Sequence, residues 1–140
     1  MAKQSQSGAV VDLAGLARAT AEQGAVWAYG GADLNVNLVV FEVGRGVSEH
    51  LNAEVDVLLV GLLGAGTVTV DGETHELRVG QALVVPKGRR RAIVAGADRF
   101  AYLTCHRRRG GLQPATRATS SPELGAGLES SQGEGTERSV

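Results

Sequence analysis

Gly80-Gln-Ala-Leu-Val-Val-Pro-Lys-Gly-Arg-Arg-Arg91 contains the end of one strand, a turn and the start of the next strand. Pro86 has a fixed φ and Gly88 can adopt a positive φ, so the two residues predict a tight β-turn. The turn would direct the side chain of Arg91 toward one defined face of the following strand. The stretch therefore predicts a β-protein in which Arg91 faces one defined side of a strand.

Short strands with alternating polarity are predicted on both sides of this stretch. Asp71-Gly72 joins two of them, residues 67–70 and 73–77, and this residue pair is typical of a type I′ hairpin turn. About eight to ten short strands with no helix among them predict an all-β barrel or two-sheet jelly roll. The other predicted strands are residues 26–29, 34–43, 48–52, 55–63, 81–85, 91–94 and 100–105.

Composition divides the 140 residues into three parts around a single core. Residues 1–25 are predicted to be an N-terminal segment with a short amphipathic helix over 10–23, because apolar residues recur there at helical spacing. Residues 26–109 are predicted to form the barrel. Residues 110–140 are rich in Gly, Ser, Thr and Glu and are predicted to form a disordered tail.

Charge and cysteine content exclude several classes of protein. The formal net charge is -1, and without a basic domain or a recognisable motif we expect no nucleic-acid partner. No apolar run reaches the roughly 18 residues of a membrane span, so we expect no membrane partner. The single cysteine, Cys105, excludes an internal disulfide and suits a reducing compartment, which predicts a cytoplasmic location.

The stretch from Gly80 resembles the second sequence motif of the cupin superfamily, a family of small β-barrels. It matches at Gly80, Pro86 and Gly88, and it carries Arg91 where cupins usually have His. The resemblance covers roughly residues 26–106. It implies a cupin-type double-stranded β-helix, or jelly-roll, barrel.

The first cupin motif is matched less completely. Gly44 and His50 stand at the expected spacing, but Asn52 replaces the second His. The acidic position falls on Asp56 in one register and on Val57 in the other, and the spacing to the next glycines leaves both registers open.

The resemblance implies a divalent transition-metal centre held by three His and one Glu, which suits Fe, Mn, Ni, Cu or Zn. Arg91 cannot ligate a metal, and its charge opposes a cation nearby. We therefore predict a degenerate metal site with no favoured cofactor. A metal, if one is bound, would be held by His50 and Asp56.

Arginine binds carboxylates, phosphates and sulfonates through two parallel hydrogen bonds. We predict a pocket for a small, anionic molecule lined by His50, Asn52, Asp56 and Arg91, which describes a small-molecule binding or regulatory cupin. An alternative is that Arg91 forms an ion pair with Asp56 or Glu54 at the barrel mouth, because buried arginines are usually paired.

Two further hypotheses remain open. The first is a metal-dependent dioxygenase or isomerase that uses His50 and Asp56 with an unorthodox third ligand, Cys105 or His106. Neighbouring strand residues face opposite ways, so only one of that pair enters the barrel, and the simpler arrangement buries Cys105 and exposes His106. In an enzyme without metal, His50 is the natural general acid or base.

The second hypothesis is a structural or interaction protein that uses only the surfaces of its sheets. The apolar face of the helix over 10–23 needs a cover, either the barrel or a second subunit. Because cupins commonly dimerise through their sheets, we expect a homodimer.

Overall fold

The computed structural model describes residues 3–4, as backbone only, and residues 9–109. The described part contains one helix, α1 (Leu13–Ala19). It also contains the strands β1 (Lys3–Gln4), β2 (Gly24–Gly30), β3 (Leu34–Phe41), β4 (Gly46–Leu51), β5 (Val57–Leu63), β6 (Ala65–Val70), β7 (Glu73–Arg78), β8 (Ala82–Val85), β9 (Arg90–Ala95) and β10 (Phe100–Arg107). The predicted tail, residues 110–140, lies outside the described residues.

The strands form two sheets. One has six strands in the order β1-β2-β3-β10-β5-β8, and the other has four in the order β4-β9-β6-β7. All pairs of neighbouring strands are antiparallel except β1 with β2. Apolar side chains from both sheets share one core, as in a jelly-roll barrel, and this confirms the predicted fold class.

The interior of the barrel is filled by side chains that alternate along the strands. Such alternation follows from the two-residue period of a strand. The buried members of this core are Val39, Val55, Val57, Leu59, Val68, Val70, Leu77, Val85, Ile93, Ala95, Phe100 and Tyr102.

Helix α1 is shorter than the helix predicted over residues 10–23. It begins after Asp12, whose side chain accepts a hydrogen bond from the N–H of Gly15 at 3.0 Å, and Thr20 ends it in an extended conformation. Ala17 is fully buried, packed on the outer face of the larger sheet against a group that includes Val26 and Leu38. The apolar face of the helix is therefore covered by the barrel itself.

Two predicted turns have the expected backbone geometry. Asp71 and Gly72 both have positive φ, 50° and 84°, which confirms the hairpin between β6 and β7. Gly88 has a φ of 84°, and its N–H donates to the carbonyl of Asn52 at 2.8 Å. The turn before β9 is thereby tied to the end of β4. No helix among residues 9–109 combines the length and apolarity needed to cross a membrane.

Candidate functional site

Arg91 lies inside the barrel with 4% of its surface exposed. Strand β9 places it opposite His50 of β4 on one side and Val70 of β6 on the other. Its neighbour Arg90 is exposed, as alternation along a strand requires. Burial, and secondly the charge of Arg109, lower the pKa of Arg91 to about 10, so the guanidinium remains a cation at neutral pH.

The alternative in which Arg91 forms an ion pair with Asp56 or Glu54 is wrong. Within residues 9–109, the ion pairs of the structure do not include Arg91. Both carboxylates are on exposed residues, and Oδ1 of Asp56 accepts the N–H of Lys87 at 2.8 Å. Arg91 is thus a buried cation with no acidic partner among the described residues.

Of the two residues that could occupy the acidic position of the first motif, Val57 faces the interior of the barrel and Asp56 does not. Val57 begins β5 opposite Val85, and both side chains are buried in the core. Asp56 precedes the strand on the exposed side, where its carboxylate holds the loop before Gly88. The structure therefore does not bring Asp56 together with Arg91, against the prediction that both line one pocket.

His50 reaches the interior through an irregularity in β4. Val47 pairs with Ile93 and His50 pairs with Arg91, so three residue steps on β4 match two on β9. This β-bulge puts His50 on the same face as the core residue Val47. Nδ1 of His50 lies 3.1 Å from the carbonyl oxygen of Ser48; because a carbonyl only accepts, Nδ1 carries the proton and Nε2 is the acceptor.

Asn52 lies at the rim of the barrel and is 8% exposed. Its Nδ2 donates to the carbonyl of Val55 at 3.1 Å, and its Oδ1 accepts from the N–H of Glu54 and from Nη1 of Arg109, both at 2.9 Å. The amide therefore shapes the loop after β4. Direct binding of a ligand by Asn52 stays a prediction.

Strand β10 contributes inward polar residues that the sequence analysis did not assign to the site. Phe100 and Tyr102 belong to the core, so alternation also turns Thr104 and His106 inward. Oγ1 of Thr104 accepts from Nδ2 of Asn37 on β3 at 3.4 Å. The two-residue period of the strand could have predicted these inward residues. The bulky aromatic residues Phe100 and Tyr102 show which set of alternate residues faces the core.

The predicted orientation of Cys105 and His106 is reversed. His106 is buried, with 6% of its surface exposed, and Cys105 lies on the opposite face of β10. Burial first, and then the charge of Arg109, lower the pKa of His106 to about 4. The ring is neutral at pH 7, and Nδ1 donates to the carbonyl of Arg107 at 2.8 Å, which leaves Nε2 as an acceptor.

Tyr102 completes the polar interior beside Arg91. The residue is 2% exposed and its ring stacks on Phe100 with a centroid distance of 5.1 Å. Burial raises the pKa of Tyr102 well above its usual range, against the opposing influence of Arg91. Its hydroxyl stays protonated and can donate a hydrogen bond to an anion.

The residues at the cupin ligand positions do not fit a transition metal. They are His50, Asn52, Val57 and Arg91, of which one is apolar, one is a cation and one is an amide already bonded to its own loop. Nowhere in residues 9–109 do three or more His, Cys, Asp or Glu side chains gather as a metal would require. The degenerate metal site stays a prediction.

A separate groove lies on the outer face of the smaller sheet. Its volume is about 320 Å³ and its lining includes Gly46, Ser48, Thr67, Thr69, Ala92 and Val94. None of these side chains ionises, and Arg91 is not among the lining residues. The groove is therefore not the site described above, whose polar groups lie inside the barrel.

Comparison with known proteins agrees with the fold. A family model described as a cupin domain matches residues 37–105. KdgF from Halomonas sp. superposes with a TM-score of 0.54 and 25% identity over 57% of this chain and 73% of that one. A Bacillus halodurans protein superposes with a TM-score of 0.64 at 18% identity, over 79% and 89% of the two chains. The chain belongs to the cupin superfamily.

Two curated proteins are related to part of the chain. Dimethylsulfoniopropionate lyase DddW from Ruegeria pomeroyi is 38% identical over half of this chain. The 4-deoxy-L-threo-5-hexosulose-uronate ketol-isomerase from Shigella boydii is 42% identical over 46% of it. The matches span 47% of the lyase and 24% of the isomerase.

Proposed function

We propose that this chain is a cupin that binds a small anionic molecule, in a binding or regulatory role, without a standard metal centre. The observation that carries the proposal is Arg91, a buried cation at the position of a cupin metal ligand, with no acidic partner among residues 9–109. We further propose that the protein works in the cytoplasm as a homodimer.

The physical reason is the cost of burying a charge. Removing a guanidinium from water costs several kcal/mol unless an opposite charge and hydrogen bonds compensate it. A carboxylate or phosphate bound in two-pronged geometry would provide both. The protonated hydroxyl of Tyr102 would add a neutral donor beside the anion.

The names of the two curated relatives support an anionic ligand. A propionate and a uronate both carry a carboxylate. The matches cover less than half of either protein, so the activities of these relatives do not follow for this chain. The alternative of a metal-dependent dioxygenase or isomerase that uses Asp56 lacks support, since Asp56 is exposed and bonded to Lys87.

The test is thermal unfolding with acetate, phosphate or sulfate at constant ionic strength. We expect at least one anion to raise the Tm, because a ligand at one hundred times its Kd stabilises the native state by about 2.7 kcal/mol. Arg91→Gln should remove this shift. Its matched control is Arg90→Gln, which removes the same charge from the exposed neighbouring position and should keep the shift.

The stability of Arg91→Gln without ligand is a second test of the proposal. We expect the unliganded variant to be at least as stable as the parent, because it no longer buries an uncompensated cation. An anion-dependent shift that persists in Arg91→Gln, or the absence of any shift in the parent, would refute the proposal.

A further inference from the structure

We propose that two copies of this chain associate through the outer face of the larger sheet. The inference rests on the homodimer proposed above and adds the surface that forms it, and it does not depend on the anion site at Arg91. It follows from the residues that strand pairing places on this face, from the part of the face that α1 leaves open and from the size of that part.

Strand pairing places two rows of apolar side chains across the outer face of the larger sheet. Residues directly opposite each other on neighbouring strands point to the same face. The first row crosses β2, β3, β10, β5 and β8 in the order Tyr29, Val36, Cys105, Leu58 and Val84. The second row crosses the same strands in the order Trp27, Leu38, Leu103, Val60 and Ala82. We call these two rows the apolar face, and none of their side chains carries a charge.

The outer face of the smaller sheet has a different composition. Thr67 and Thr69 of β6 lie on that face, opposite Glu76 and Thr74 of β7, and Arg78 continues the same set of alternate residues. An antiparallel sheet with one side in water usually carries polar residues on that side, as the smaller sheet does. The larger sheet departs from this rule, so its outer face is suited to contact with another apolar surface.

Helix α1 covers only one end of the larger sheet. Ala17 of the helix packs with Val26, Val40 and Ala101, and Leu38 is the member of the apolar face that this packing buries. The other members of the two rows are half-buried or exposed, and Val84 is 55% exposed. Within residues 9–109, most of the apolar face is therefore open to solvent.

The size of the apolar face indicates a reversible dimer. Strands about 4.8 Å apart, with alternate residues about 6.8 Å apart along each strand, give each outward side chain about 33 Å² of sheet area. The two rows then cover about 330 Å² per copy, or about 650 Å² for two copies, below the roughly 1,000 Å² of a stable interface. Leu34, which is 43% exposed, extends the face beyond the first row and adds to this area. We therefore expect a dimer that dissociates on dilution rather than a permanent one.

The absence of charge on the apolar face favours a second copy as the partner. A partner of either charge would find no opposite charge in the two rows, whereas a flat apolar face is complementary to itself. A two-fold axis would place the same rows of two copies against each other, as in other isologous dimers. The nearest charged side chain on this side of β10 is that of Arg107, which is opposite Leu34 and exposed, so it would remain in water at the edge.

Sedimentation velocity of the parent protein between about 1 and 300 μM is the first test, since a weak interface exchanges in this range. We expect monomer at the low end and dimer at the high end. Leu58→Glu places a carboxylate in the first row and should raise the dimer Kd about 100-fold or more, because like charges would face each other across the interface. The matched control is Val94→Glu, the same kind of change on the outer face of β9, where Val94 is 40% exposed. It should change the Kd by about threefold or less.

Two further measurements do not depend on the folding of Leu58→Glu. Val84 is exposed at the edge of the sheet, so Val84→Glu should fold normally and still weaken the dimer about tenfold. Cys105, the single cysteine of the chain, lies in the first row between Val36 and Leu58. Its alkylation by iodoacetamide should be about threefold or more slower at the concentration of the dimer than at that of the monomer, because the interface covers the thiol.

The outcomes separate this inference from the proposed function. A parent that stays monomeric at the highest concentration refutes both the surface and the homodimer, whereas the anion site is tested separately by the thermal shift. A dimer that persists in Leu58→Glu and Val84→Glu, or that Val94→Glu weakens equally, refutes the surface and leaves the homodimer standing. A dimer in which Cys105 reacts at the same rate as in the monomer also refutes the surface.

Discussion

Arg91 and His106 show how two single residues change what a cupin interior can hold. Arg91 replaces a metal ligand with a cation, and His106 supplies a neutral acceptor from a strand outside both sequence motifs. Each side chain lies in the barrel because strand residues alternate between faces. Under the proposed function, the cation that opposes a metal at this position would bind an anion.

Acid should destabilise the protein partly through His106. Its pKa is lowered from 6.5 to about 4 in the folded state, so between these values the unfolded chain binds the extra proton. The contribution of His106 to the free energy of unfolding is therefore complete above pH 6.5 and is lost as the pH falls toward 4. The total loss is about 3 kcal/mol.

Urea unfolding of the parent and of His106→Gln between pH 7.5 and 4.5 measures this contribution. The pH slope should be shallower in the variant. His75→Gln serves as control, because it makes the same substitution at a partly exposed position on β7. Equal slopes for the parent and His106→Gln would contradict the assignment of a buried neutral ring.

At the scale of elements, α1 depends on one arginine from outside the helix. Nη1 of Arg99 donates to the carbonyls of Ala17, Arg18 and Thr20, at 2.9, 3.2 and 2.6 Å, and Nη2 pairs with Glu42. These carbonyls belong to the helix end, where no backbone partner is available. A helix of seven residues is marginal alone, so tertiary contacts of this kind hold it.

Arg99→Met should lower the free energy of unfolding by about 1.5 to 3 kcal/mol, the range for hydrogen bonds to charged groups. Amide exchange in α1 should accelerate more than exchange in β5 or β10. Arg78→Met is the control, since Arg78 pairs with Glu76 at an exposed position where a salt bridge contributes less than about 1 kcal/mol. Similar losses in the two variants would show that Arg99 does not stabilise the helix end.

At the scale of the whole molecule, the barrel combines a cupin fold with an interior that does not match a cupin metal centre. Both sheets contribute to one core, and the polar groups gather where β4, β9 and β10 present inward side chains. The fold thus determines where a ligand would bind, while a few side chains determine which one. The homodimer remains a prediction, and the cover that the barrel provides for α1 removes one reason for it.

The metal content of the protein, purified without an affinity tag or chelator, tests the prediction that its site holds no transition metal. We expect elemental analysis to find far less than one equivalent of transition metal in the parent. Arg91→His removes the opposing charge and adds an imidazole near His50 and His106, so we expect it to take up Zn²⁺ or Ni²⁺. Near-stoichiometric metal in the parent would contradict the metal-free site.

The turns, the strand alternation and the two glycine-anchored motifs were sufficient to predict the all-β fold and the Asp71-Gly72 hairpin. These are local properties: Gly and Asp at turns need particular φ values, and a period of two is visible within one strand. They could not identify the residue at the acidic position of the first motif, because the motif spacing alone admits both Asp56 and Val57.

Only the tertiary structure decided which of Asp56 and Val57, and which of Cys105 and His106, faces inward. It also decided that Arg91 lacks an acidic partner among the described residues and that Arg109 reaches the rim through Asn52. Each of these facts depends on pairing between strands far apart in the chain and, for His50, on a bulge that shifts the register by one residue. Local sequence determines the period of a strand, whereas contacts between strands determine its register and the partners of its side chains.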